Sequence, residues 1–277
     1  MKYSLLALDV DGTLVRPDQT VAPEMVEALA AAQDAGLRVC LATGRSLVET
    51  MPVWRQLRLT LPPQPMILIG GALVAEPETG RTLYQRTIPS ELACEYADAV
   101  VSRGYSAMAI VDAWRHGFDY YLVESRDVRQ VRDGWFAKMN ARIHAVPTLG
   151  RNGQTPEVLR INAVVEPAAA AVLTKDLAAQ FAGRLNIHSI LAPNYGITVV
   201  EAFATTTSKW AAIAYVAQGL RIGADQIVAV GDDVNDLPMI RSAGLGVAMP
   251  WASAEVRSAA KAVAEPDLAR FVRGLLN

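Results

Sequence analysis

LLALDVDGTL, residues 5–14, starts as an uncharged apolar run and closes on two aspartates, a glycine and a threonine. An apolar run of this kind, from Tyr3 to Leu8, reads as a strand buried on both faces, the pattern of a parallel sheet. Asp9 and Asp11 stand two residues apart, so an extended chain carries both on one face, and Gly12 lets the backbone turn away directly after them. They leave the sheet together at the strand's carboxyl end, where open α/β sheets bind ligands. A surface Asp-Gly turn accounts for Asp11 and Gly12, but an acid that ends a wholly apolar strand needs a partner. A calcium loop fits poorly, because Gly12 at its sixth position puts Ala7 at the first ligand position.

Working outward, Pro23–Ala35 reads as a helix stopped by Gly36, Leu37–Ala42 as a strand, Ser46–Leu57 as a helix and Met66–Ile69 as a third strand. This βαβαβ rhythm implies a parallel sheet with right-handed crossovers. It returns near the C-terminus as helix Lys209–Gln218, strand Gln226–Val230, helix Asp236–Ala243, strand Leu245–Met249 and a last helix from Asp267. In between, a helix over Ser90–Arg103 precedes paired runs, Ser106–Val111 with Phe118–Val123, then Leu159–Val165, Asn186–Leu191 and Ile197–Phe203, with helix Pro167–Ala182 among them. Strands that follow one another without a helix suggest an antiparallel sheet backed by helices. The expected fold is a doubly wound α/β core, residues 1–84 and 204–277, split by an inserted α+β domain, residues 85–203. The segment Leu149–Pro156 reads as a long loop within the insert.

The 277 residues suffice for two domains, and a net charge of −2 offers no global field to recruit nucleic acid or an anionic membrane. No apolar stretch reaches the roughly 18 residues of a membrane helix, so a cytoplasmic protein is expected. Cys40 and Cys94 make no disulfide framework and read as small buried apolar residues. Partners must be sought in a site.

Three further segments end in chemistry. LATGRS puts Thr43 at the end of the second strand, with Gly44 permitting close approach and Arg45 and Ser46 at a helix start. Thr43 or Ser46 would serve equally as a cap. A cation there opposes the helix dipole unless an anion is near, and Lys209 in TTTSKWAAI repeats the anomaly, so two misplaced cations suggest one anion. GDDVND, residues 231–236, groups Asp232, Asp233 and Asp236 at a third strand end. Two unit charges about 4 Å apart interact by about 4 kcal/mol at an effective dielectric of 20, so the acids call for a cation between them. Asp233 alone is explained as a helix cap. Hard oxygen ligands beside a phosphate are the magnesium pattern.

The set DxDGT, TGR, Lys and GDxxND, in that order, resembles the haloacid dehalogenase superfamily of phosphatases, and the insert's place after the third strand resembles its Cof-type branch with a large α/β cap. The resemblance spans nearly the whole chain. It implies Asp9 as nucleophile and Asp11 as general acid and base, with Thr43, Gly44, Lys209 and Asn235 at the phosphate. It implies a magnesium ion shared by Asp9, the main-chain carbonyl of Asp11, Asp232 and Asp236, with Arg45 as a substrate contact. The implied reaction is hydrolysis of a small phosphorylated metabolite through an aspartyl-phosphate, a sugar phosphate first and a phosphorylated cofactor second. Gly70, Trp210 and Trp251 replace residues usual in the branch and bear on substrate orientation. Arg160, Asn162 and Asn194 are polar candidates in the insert.

Two other readings share the same acids. A phosphomutase would return the phosphoryl group to substrate, and a phospho-accepting signalling module would keep it, although such a module has no use for the insert. A nicotinamide-binding fold is disfavoured, because Gly244 and Gly246 precede a strand and Met249 stands where a third glycine belongs.

Overall fold

The computed structural model describes residues 2–59, 62, 64–125, 141–150, 156–192, 196–265 and 267–276; Asn194 and most of the expected 149–156 loop lie outside them. By its contacts the chain divides into one unit of Met1–Tyr84 with Ser208–Asn277 and a second of Gln85–Thr207.

The first unit begins β1 (Leu5–Leu8), α1 (Pro23–Asp34), β2 (Arg38–Leu41), α2 (Leu47–Gln56), β3 (Met66–Leu68), β4 (Leu73–Ala75) and β5 (Thr82–Gln85). Pro23 starts α1 where its missing N–H costs no helical bond, and Gly36, at φ +93°, carries the chain out of it. β1 is buried along its whole length, as its apolar run requires. The expected third parallel strand turns out differently. Among the described residues a single parallel bridge, Ala42 to Ile67, joins β3 to the neighbourhood of β2, and its ladder runs antiparallel to β4. Ile69, Gly70 and Gly71 all take positive φ, so the chain folds straight back instead of entering a helix.

The second unit holds α3 (Ser90–Val101), β6 (Ala107–Val111), α4 (Ala113–His116), β7 (Tyr120–Val123), β8 (Ile143–Val146), β9 (Val158–Val165), α5 (Pro167–Gln180), β10 (Leu185–Ala192) and β11 (Ile197–Ala204). Its sheet has the order β10-β11-β9-β6-β7-β8, antiparallel except for the parallel β7·β8 pair. Helical spacing along α3 buries Leu92, Ala93, Tyr96, Ala97 and Val100. These pack with Leu173 and Leu177 of α5 and with Phe181, whose ring meets Tyr96 edge-on at 5.2 Å.

The chain returns to the first unit through α6 (Lys209–Leu220), β12 (Ile227–Gly231), α7 (Leu237–Ser242), β13 (Leu245–Ala248), α8 (Ala254–Ala259), β14 (Ala262–Val263) and α9 (Leu268–Gly274). The strands align as β14-β13-β12-β1-β2, all parallel. β1 and β12 are therefore neighbours, and the carboxyl ends carrying DVDG and GDDVND lie side by side. Cys40 is buried as expected, whereas Cys94 is half-buried. Among the described residues no helix is long and apolar enough to cross a membrane.

Candidate active site

The end of β1 is pinned to β12 by the Asp9 N–H, which donates to the Val230 carbonyl at 3.0 Å. That places the Asp9 carboxylate, 5% exposed, under the first turn of α6. Ser208 caps this helix by accepting from the Ala211 N–H at 3.1 Å. Lys209 follows at the first helical position, and its side chain turns inward, 2% exposed. Its ammonium donates to Asp9 Oδ1 at 2.5 Å and to Asp236 Oδ1 at 2.6 Å. Burial alone would discharge this lysine, but the carboxylates of Asp236 and Asp9 outweigh it and hold its pKa above the ordinary value.

Asp236 is wholly buried, and its second oxygen accepts from the main-chain N–H groups of Asp232 and Asp233 at 3.0 and 3.2 Å. Its position depends on Gly231, where a Cβ would come within 2.4 Å of the Asp236 carboxyl. Asp233 caps the short turn that follows, accepting from the Val234 N–H at 2.7 Å. Asp232 is held by the Thr13 hydroxyl, which donates to its Oδ1 at 3.0 Å. Gly12, at φ +74°, makes room for it, since a Cβ there would stand 2.2 Å from Asp232 Oδ2.

Carboxylate oxygens of Asp9, Asp232 and Asp236 lie within 4.8 Å of one another. Burial pushes the Asp9 carboxyl well above the usual range, with Lys209 opposing and Asp236 reinforcing the shift. Burial and the neighbouring Asp236 raise Asp232 to about 6, against the Thr13 hydrogen bond. Two of these three carboxylates share one buried ammonium and the third has none among the described residues, so the cluster favours a further positive charge, and an all-carboxylate set suits a hard divalent cation.

Asp11 stands apart from this cluster. Its side chain, 57% exposed, takes a two-pronged bond from Arg45: Nε donates to Oδ2 at 2.8 Å and Nη2 to Oδ1 at 2.5 Å. The two cations expected to share one anion thus have separate partners within the protein, Asp11 for Arg45 and the Asp9–Asp236 pair for Lys209. The expected substrate contact, Arg45, reaches an acid of the motif because the chain reverses tightly after Thr43. Thr43 is fully buried, and its hydroxyl accepts from the Arg45 N–H at 3.1 Å. Its carbonyl accepts from the Gly70 N–H at 2.9 Å, a bond that Gly70 makes with its main chain alone. Gly44 lies between the two in the loop before α2, which Ser46 and Glu49 cap: the Ser46 N–H and hydroxyl both donate to the Glu49 carboxylate. Asn235 carries a buried Oδ1 with no hydrogen-bond partner among the described residues. Trp251, 64% exposed, donates its indole N–H to the Gly12 carbonyl at 2.7 Å, and Trp210 packs against the core of the first unit. The sequence reading missed Thr13, although a hydroxyl two residues after Asp11 on a glycine turn was the available signal.

The sequence pattern of the haloacid dehalogenase-like hydrolases matches residues 6–267. The chain belongs to this family. The resemblance read from its four motifs and the expected fold class are both borne out. Among its relatives, this hydrolase is 28% identical to the 5-amino-6-(5-phospho-D-ribitylamino)uracil phosphatase YitU of Bacillus subtilis, over 90% of this chain and 87% of that protein. It is 26% identical to the pyridoxal phosphate phosphatase YbhA of Escherichia coli, over 95% of this chain and 93% of that one. Its fold matches that of a haloacid dehalogenase-like hydrolase from Bacteroides thetaiotaomicron with a TM-score of 0.78 at 22% identity, covering 99% of this chain and 100% of the other.

Proposed function

We infer that this hydrolase is a magnesium-dependent phosphatase that cleaves a small phosphorylated metabolite through an aspartyl-phosphate on Asp9. The observation that carries the reading is the buried meeting of Asp9, Lys209 and Asp236 at adjacent strand ends, with Asp232 beside them. Asp9, Asp232, Asp236 and the main-chain carbonyl of Asp11 would hold the magnesium ion, which when bound supplies positive charge against the phosphoryl oxygens. Lys209 adds the protein's own charge to the same oxygens, and Thr43 and Gly44 bind the phosphate from the second strand end. Asn235, with its unpartnered oxygen, supports the phosphate or metal shell.

An Asp9 oxygen attacks phosphorus, the bond to the leaving oxygen breaks, and the Asp11 carboxyl gives that oxygen its proton. Asp11, now ionised, takes a proton from water as the water oxygen attacks phosphorus, the bond to Asp9 breaks and phosphate leaves. The inserted unit serves as a cap that selects the leaving group. The names of the curated relatives support a phosphorylated cofactor or its precursor, such as a ribityl or pyridoxal phosphate, ahead of a simple sugar phosphate.

The test is phosphate release over a panel of sugar phosphates, pyridoxal phosphate, flavin mononucleotide and nucleotides, with magnesium and with a chelator, in the wild type and Asp9→Asn. The expected result is magnesium-dependent release that falls about 10³-fold or more in Asp9→Asn. Activity that survives the substitution or the chelator overturns the mechanism.

A further inference from the structure

Gln19 is a residue no motif accounts for, yet the structure has built a loop around it. Its backbone is left-handed, φ +67°, a conformation that β-carbon crowding makes costly outside glycine and that tends to gather at functional sites. The turn is closed on both sides: the Gln19 N–H donates to the Arg16 carbonyl at 2.9 Å, and the Arg16 N–H to the Thr20 carbonyl at 2.9 Å. Asp18 accepts from the Thr20 N–H and hydroxyl, and Gln56 Nε2 reaches the Gln19 carbonyl at 3.3 Å from α2. The strain is therefore held from several sides, and what it delivers is the Gln19 amide oxygen. That oxygen accepts a short hydrogen bond from Arg45 Nη2, the same nitrogen that donates to Asp11 Oδ1. Arg45 Nη1 is tethered to the Glu49 carbonyl at 3.4 Å. The guanidinium is thus fixed on one edge by Gln19 and at its far end by α2, leaving its Nε–Nη2 edge to the Asp11 carboxylate.

Asp11 has too much exposure for packing to fix its rotamer, so its direction is set by the fork of Arg45, whose direction is set by Gln19. We propose that Gln19 is a positioning residue for the second half of the reaction, aiming the ionised Asp11 through Arg45 at the water that hydrolyses the phosphoenzyme. The two-pronged contact is one an ionised carboxylate makes, and Asp11 is ionised when it must take the water's proton. This rests on the roles proposed above for Asp9 and Asp11. In the step concerned the water oxygen bonds to phosphorus, the phosphorus–Asp9 bond breaks, and the water proton passes to Asp11.

p-Nitrophenyl phosphate isolates that step, because its leaving group departs without a proton. Gln19→Gly relieves the left-handed backbone while removing the amide. Gln19→Asn tolerates the same backbone but ends one methylene short of Arg45. With saturating magnesium, both variants should show kcat lowered about tenfold, a partial loss of the roughly 10²–10⁴-fold that general-base catalysis supplies. Their kcat/KM should stay within about twofold of wild type, and a burst of p-nitrophenolate close to one equivalent of enzyme should precede the slow phase. A merely structural role would lower kcat and kcat/KM together; that result, or no change in either, overturns the proposal. A wild type that releases no p-nitrophenolate with magnesium, or an Asp9→Asn variant that still does, defeats the phosphatase mechanism itself and is distinguishable on that ground.

Discussion

Asp9 and Asp11 sit two residues apart at one strand end and live under opposite physical regimes. Asp9 is 5% exposed and shares Lys209 with the wholly buried Asp236, whereas the Asp11 side chain is 57% exposed and takes the fork of a largely buried Arg45. Inside, the large energies belong to charges that have lost their water, so removing one partner strands the others. Toward the outside, water reaches the Asp11 carboxylate and screens its contact with Arg45, so the two-pronged contact fixes direction while adding little stability. One aspartate is held by cost and the other by aim.

Lys209→Met breaks the buried side of this contrast and should have the largest effect. It leaves Asp9 and Asp236 facing each other without a cation, and the unfolding free energy in urea should fall by about 3–5 kcal/mol, partly recovered by magnesium. A loss below about 1 kcal/mol would show that the carboxylates are not charged and confined as their burial implies. Thr13→Val is next. It removes the hydroxyl that orients Asp232, and magnesium affinity measured calorimetrically should drop about 10–100-fold, the usual cost of losing an outer-shell partner.

Acid sharpens the contrast further. In divalent-free protein the Asp9 and Asp232 carboxyls titrate above their unfolded values, Asp232 at about 6 against 3.8. Carboxyls of this kind contribute fully to stability only below the unfolded value, and the contribution is lost as pH rises toward the folded one. Melting temperature without divalent ions should therefore decline between about pH 4 and 6 relative to the magnesium-loaded protein, with the largest gain from magnesium at the upper end. The smallest effect belongs to the exposed partner: Asp11→Asn should cost about 1 kcal/mol or less in urea unfolding, however much it costs in turnover.

The residues that made the core legible are those whose chemistry contradicts their surroundings. Asp9 ends an apolar strand, Lys209 stands at the wrong end of a helix, and three acids crowd GDDVND. Each anomaly marks a real contact, because burial leaves a charge few places to go. The missed elements are short or half-exposed. β5 and β8 lack the apolar run that signals burial, and β14 has two residues, so only pairing with neighbours defines them. β3 has a strand's composition, but its antiparallel partner is set by the glycine reversal that follows, which periodicity does not encode. Arg45 was legible as an anomaly and illegible in its destination, since Asp11 is reached only once β1 and β2 have paired.

The Lys209–Asp9 bond spans 200 residues of chain and the Thr13–Asp232 bond 219, with the whole second unit between them. At ribosomal speeds of about 5–20 residues per second, the N-terminal aspartates wait roughly 10–40 s for the lysine to be synthesised. Throughout that interval β1 has no β12 beside it, and the interposed unit gains the last strand of its own sheet, β11, just before the lysine is made. Asp9 thus stays without its ammonium partner until the chain beyond the second unit has been made.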